Sequence, residues 1–101
     1  EVQDFFNQAA QWWMDNQEYL LMDIYAPQSR RGSAQGRTAI VRAVRQDLST
    51  TTVNPFQGQL SLAILAQGLE ATLDTAQGPR KFLLHPGPST TWQIIAEDWE
   101  S

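Results

Sequence analysis

The chain contains no cysteine. That absence removes disulfides, thiolate zinc sites and cysteine nucleophiles together, and leaves the redox compartment open. Histidine is nearly absent too. With His85 alone in 101 residues, no His-rich metal site is expected, and no cofactor is implied. No apolar run approaches the length a helix needs to cross a bilayer, so no membrane span is expected in this segment. Positive charge is scarce, 7 Lys and Arg against 11 Asp and Glu, for a net charge of −4. A phosphate backbone would repel such a chain, and nucleic acid is not an expected partner. The first residue is Glu1 rather than Met, which fits a processed product or a piece of a longer protein. Cytoplasmic and exported locations both stay open.

What is present suffices for an ordinary core: 42% of residues are hydrophobic and 18% charged, so one domain over 1–101 is expected. Val2, Phe5, Phe6, Ala9, Trp12 and Trp13 recur at spacings of three and four and predict an amphipathic helix that breaks at Asp15-Asn16. A shorter helix carries Tyr19, Leu20, Leu21 and Ile24 and must stop near Ala26, ahead of Pro27. Residues 27–36 show no periodicity and read as an exposed loop. A third helix is expected from 37 or 38 to 48, with Ile40, Val41, Val44 and Leu48 inward, ended by the Ser-Thr run at 49–52.

After Pro55 the period becomes two. Phe56, Leu60, Leu62 and Ile64 alternate with polar or small residues, then Leu69, Ala71 and Leu73 do the same after a Gly-bearing turn. A third strand is expected at 80–85 and a last one from Thr90 to about Trp99, with Trp92, Ile94 and Ala96 on one face and Ile95 and Trp99 on the other. Helices followed by a meander of about four strands predict an α+β fold, with a curved antiparallel sheet wrapped round the first helix.

Three stretches carry a family resemblance: YLLMDIYAP at 19–27, GRTAIVRAV at 36–44 and WQIIAEDW at 92–99. Together they resemble the nuclear transport factor 2-like superfamily of cystatin-like fold, and within it the SnoaL-like and ketosteroid-isomerase-like cone domains. The resemblance spans nearly the whole chain. It implies a small strand pair between the second helix and GRTAI, where only PQSRRGSAQ is available. It also implies either a cavity enzyme, using a carboxylate base and a Tyr donor, or a non-enzymatic module that pairs with another copy. The base and donor roles do not map residue by residue onto this chain.

Few residues carry chemistry. His85 is a candidate cavity acid or base, although a solvent-facing strand end is its commoner role. Asp23 and Tyr25, at the end of the second helix, would form an acid–base pair if desolvated together; a wet Asp and an amphipathic Tyr are the plainer alternative. Asp74, Glu97 and Asp98 matter only on inward faces, and alternation turns Asp74 outward. Arg30, Arg31, Arg37, Arg42 and Arg45 make a patch for an acidic partner or anionic ligand, or a solvated face balancing nearby carboxylates. Four Trp exceed what one small core needs, so part of the aromatic set is assigned to an interface.

The reading that follows is a non-catalytic protein-interaction or dimerisation module, an accessory domain of a larger bacterial protein or assembly. Its expected interface is Trp92, Ile95, Trp99, Arg42 and Arg45. The alternative is a small cofactor-free isomerase- or cyclase-like enzyme, or a binder of an apolar small molecule. There Asp23, Tyr25 and His85 would surround a pocket lined by Trp12, Trp13, Tyr25 and Trp92. An acidic antagonist protein fits the size and charge, without a motif behind it.

Overall fold

A computed structural model describes residues 1–88 and 91–100. Helix α1 (Val2–Met14) buries Val2, Phe6, Ala9 and Trp13 along one stripe. It ends where the Asp-Asn pair predicts, and Asn16 takes φ 58°, a left-handed conformation its short polar side chain tolerates. Helix α2 (Glu18–Asp23) is shorter than expected. The Ile94 N–H donates to the Ile24 carbonyl at 2.7 Å, so the chain enters the sheet before reaching Ala26.

The largest departure from expectation follows. Residues 27–36 are not a free loop. They complete β1 (Tyr25–Arg31) and form β2 (Ala34–Gln35), an antiparallel pair with Arg30 opposite Gln35 and Arg31 opposite Ala34. This is the strand pair the resemblance implies. No apolar alternation announces it, because two of the three side chains that β1 buries are Ser29 and Arg31. Pro27 is tolerated because the β1–β6 register shifts between Tyr25 and Arg30, where no regular ladder needs its missing N–H. Gly32 turns the pair at φ 60°, and a Cβ there would meet the Trp99 ring at 2.7 Å.

Helix α3 (Arg37–Thr50) buries Ile40 and Val44. It runs two residues beyond Leu48 because the Ser49 and Thr50 hydroxyls donate back to the Gln46 carbonyl at 2.9 and 2.7 Å.

Strands β3 (Gln59–Leu65), β4 (Gly68–Thr75), β5 (Gly78–Pro86) and β6 (Trp92–Trp99) form the expected antiparallel meander. The expected start of the last strand at Thr90 lies outside the described residues. With β1 added in parallel to β6, the sheet has six strands rather than about four, in the order β2-β1-β6-β5-β4-β3. The architecture is α+β, with helices on one side of the sheet.

Side chains on the helix side form rows across the strands. One row runs Leu60, Leu73, Arg80, Trp99; the next runs Leu62, Ala71, Phe82, Glu97, Arg31; a third runs Ile64, Leu69, Leu84, Ile94, Tyr25. Helix α1 seals the middle of this face. Phe6 lies 5.0 Å from Phe82, Phe82 stacks on Phe56 at 5.7 Å, and Trp13 meets Phe56 edge-on at 5.9 Å, centroid to centroid. Phe5 and Leu60 pack against the same cluster, while Leu62 remains 52% exposed.

Strand β6 carries a bulge. Leu83 faces Ala96 and Leu84 faces Ile94, leaving Ile95 as the extra residue. The simple alternation expected for this strand therefore fails past Ile94. Ala96 falls on the outer row with Leu83, while Glu97 and Trp99 turn to the helix side.

Candidate functional site

The bulge brings a charge into the interior. Glu97 is fully buried, opposite Phe82 on one side and Arg31 on the other. The Tyr25 hydroxyl donates to its Oε1 at 2.5 Å, and Arg80 Nε donates to its Oε2 at 2.6 Å. Arg31 Nε donates to the Tyr25 hydroxyl at 3.2 Å and lies 3.3 Å from Glu97 Oε1. Arg31 Nη1 reaches out to Asp47 Oδ2 on α3 at 2.5 Å. The two guanidiniums and two carboxylates cancel in formal charge.

Trp99 closes the group from above. Its ring lies 3.8 Å from the Arg80 guanidinium and 5.5 Å from that of Arg31. A pocket of about 130 Å³ opens at this mouth, lined by Trp13, Arg31, Asp47, Thr51, Arg80 and Trp99 among others. Arg31 is 2% exposed, and its Nη2 has no hydrogen-bond partner among the described residues. A wider trough of about 750 Å³ runs beside it past Trp13, Leu48 and Asn54, with Asp74 the one ionisable residue among the described residues that line it.

Burial pushes the Tyr25 phenol well above its ordinary pKa, and the neighbouring Glu97 charge pushes the same way. Burial opposes the charge on Arg31, but Glu97, Tyr25 and Asp47 outweigh it and hold its pKa above the usual guanidinium value. On the other side of the sheet, Arg30 grips Asp98 through both oxygens; that hydrogen bonding holds the Asp98 carboxyl below its usual range.

The structure distributes the sequence candidates as follows. Tyr25 sits in the buried cluster, in a strand rather than at a helix end, and its partner is Glu97 rather than Asp23. Asp23 is exposed at the end of α2. His85 is exposed on the outer row, where its Nε2 contacts the Gln67 carbonyl of the β3–β4 turn. Trp13 lines the mouth, whereas Trp12 lines a separate pocket of about 220 Å³ with Phe5, Ile24 and Thr91. Trp92 is half-buried against the core and Ile95 half-buried in the bulge. Trp99 is 39% exposed over the guanidiniums. Arg42 and Arg45 are both exposed on α3, and Arg45 pairs with Glu18 at 2.5 Å.

Sequence reasoning missed the Arg31–Glu97–Arg80 group. One signal for it was available: Arg80 stands in phase with Phe82 and Leu84, so a cation had to enter the interior and required a buried partner. The apolar doublet Ile94-Ile95 is the corresponding trace of the bulge.

No protein-family model and no curated protein matches the chain. Solved structures do. A protein from Catenulispora acidiphila aligns over 96% of this chain and 86% of its own length, with a TM-score of 0.72 and 17% identity. A nuclear transport factor 2-like protein of cystatin-like fold from Novosphingobium aromaticivorans aligns over 96% and 77%, with a TM-score of 0.69 and 11% identity. A candidate calcium/calmodulin-dependent protein kinase II association domain from Xanthomonas campestris aligns over 96% and 82%, with a TM-score of 0.64 and 16% identity. The chain has the nuclear transport factor 2-like, cystatin-like fold. No helix among the described residues is long and apolar enough to cross a membrane.

Proposed function

We propose that the chain is a non-catalytic self-association module, an accessory domain that works through protein–protein contact. One observation carries this reading. The fold turns its buried carboxylate and the two guanidiniums beside it on one another and leaves two aliphatic side chains in water. Both oxygens of Glu97 are occupied by donors from within the chain, so neither is offered to a substrate proton. The mouth pocket onto which the buried charges open holds about 130 Å³, less than the roughly 300 Å³ at which ligand clefts begin, and the trough of about 750 Å³ beside it is lined by none of Tyr25, Arg31, Arg80 or Glu97. Leu62 and Ile64, by contrast, stand 52% and 91% exposed. The association-domain neighbour supports the same reading.

The test is light scattering across a concentration series. The expected result is a mass that climbs towards a multiple of the monomer, and climbs further with salt, because a net charge of −4 on each copy opposes association until it is screened. A monomer at every concentration and salt level overturns the proposal.

A second reading, a small-ligand site at the mouth, is favoured by one observation: the unpartnered Nη2 of the buried Arg31 beside the pocket. An acidic small molecule suits those donors better than the apolar ligand the sequence suggests.

A further inference from the structure

Resting on the association reading, we infer where the copies meet: the free edge of β3 pairs antiparallel with β3 of a second copy, about a two-fold axis at Leu62, continuing the sheet through the dimer. Strand β3 ends the sheet and, among the described residues, is bonded on one side only, to β4. Its pairing with β4 runs through all seven residues without a shift, so no bulge twists the outer edge away. The segment Gln59–Leu65, QLSLAIL, contains no charge and no proline. Those are the devices that ordinarily stop a sheet edge from accepting another strand. The opposite edge is guarded. Strand β2 is two residues long, pairs with Arg30 and Arg31 of β1, and lies against α3.

The occupant follows from the symmetry of the segment. Antiparallel pairing about its midpoint sets Leu62 opposite Leu62, Leu60 opposite Ile64, and Ser61 opposite Ala63. On the helix side aliphatic meets aliphatic, at the centre of the outer side Ser61 meets Ala63, Gln59 and Leu65 pair at the two ends, and no like charges face each other. A strand that complements itself in this way suits an isologous two-fold contact, where each copy offers the same patch. It also explains the exposure. Leu62 and Ile64 extend rows whose next members on β4, Leu69 and Ala71, are half-buried and fully buried, and a second copy supplies the neighbours those rows lack.

The absence of native cysteine makes the geometry testable on the full chain. Leu62→Cys places one thiol from each copy at the axis, within the Cα separation of about 4.5–5.5 Å that antiparallel partners share and a disulfide accepts. Mild oxidation is expected to yield a covalent dimer rapidly, while Ser33→Cys, exposed in the β1–β2 turn, stays monomeric. Ile64→Lys, at an already exposed position, is expected to weaken association by at least about tenfold, because it sets an unpaired charge against Leu60 of the second copy in an apolar contact. If the wild type associates but Ile64→Lys leaves its mass unchanged and Leu62→Cys cross-links no faster than Ser33→Cys, the edge is wrong while the association reading stands. If the wild type is monomeric throughout, both fail. A monomer that instead binds an added extended peptide through Leu62 and Ile64 overturns the second copy as the occupant.

Discussion

The two ends of the sheet's helix side sort their residues in opposite ways. At the mouth, Glu97, Arg31 and Arg80 are buried; on β3, Leu62 and Ile64 stand in solvent. Hydropathy alone assigns these places the other way round. The difference lies in what covers each end. Trp99, α1 and α3 close over the mouth, so any side chain in those rows is desolvated and must find its partners there. Near Leu62 and Ile64 the helices run out, and aliphatic residues in phase with the core remain wet.

The sharpest way to break this contrast is to remove the charge at the centre of the mouth. Glu97→Gln keeps the shape but leaves two buried guanidiniums without their shared counterion. The expected loss is about 3–5 kcal/mol of unfolding free energy, read by urea denaturation. A loss below about 1 kcal/mol means that the group is solvated and the mouth is not closed.

A smaller effect is expected one atom further in. Tyr25→Phe removes the hydroxyl that donates to Glu97 and costs about 1–3 kcal/mol. It also changes the alkaline limb. The folded phenol titrates well above 10.0 and the unfolded one near it. Below that pH both states hold the proton, and the contribution to stability is complete. As pH rises past it, the unfolded state ionises first and stability falls, by up to about 1.4 kcal/mol per pH unit. Denaturation midpoints measured from pH 8 to 11 are expected to fall less steeply for the Phe variant than for the wild type; equal slopes contradict the buried, neutral phenol.

At the other end the effect nearly vanishes. Ile64→Ser changes monomer stability by no more than about 0.5 kcal/mol, measured in dilute solution, because the side chain is already 91% exposed. A larger loss means that the overhang is covered within the monomer.

Much of this was readable before any coordinates. The stripes of α1 and α3, the break at Asp15-Asn16 and the four-strand meander all follow from local periodicity, which depends only on which residues are apolar and how far apart they lie. Strand β1 was not readable, since its pairing partner lies far along the chain and two of its three buried side chains are polar. Nor was the site. A single extra residue, Ile95, reverses the facing of everything after it in β6 and carries Glu97 from the expected outer face to the inner one.

From the order of its residues alone, this chain determined where helices and strands form and which face of each is greasy. Those choices are made within a few residues and need no distant partner. Tertiary structure decided which faces lose their water. Solvent exclusion depends on what lies overhead, and neither the lid above Glu97 nor the bare edge beside Ile64 is written in any local pattern.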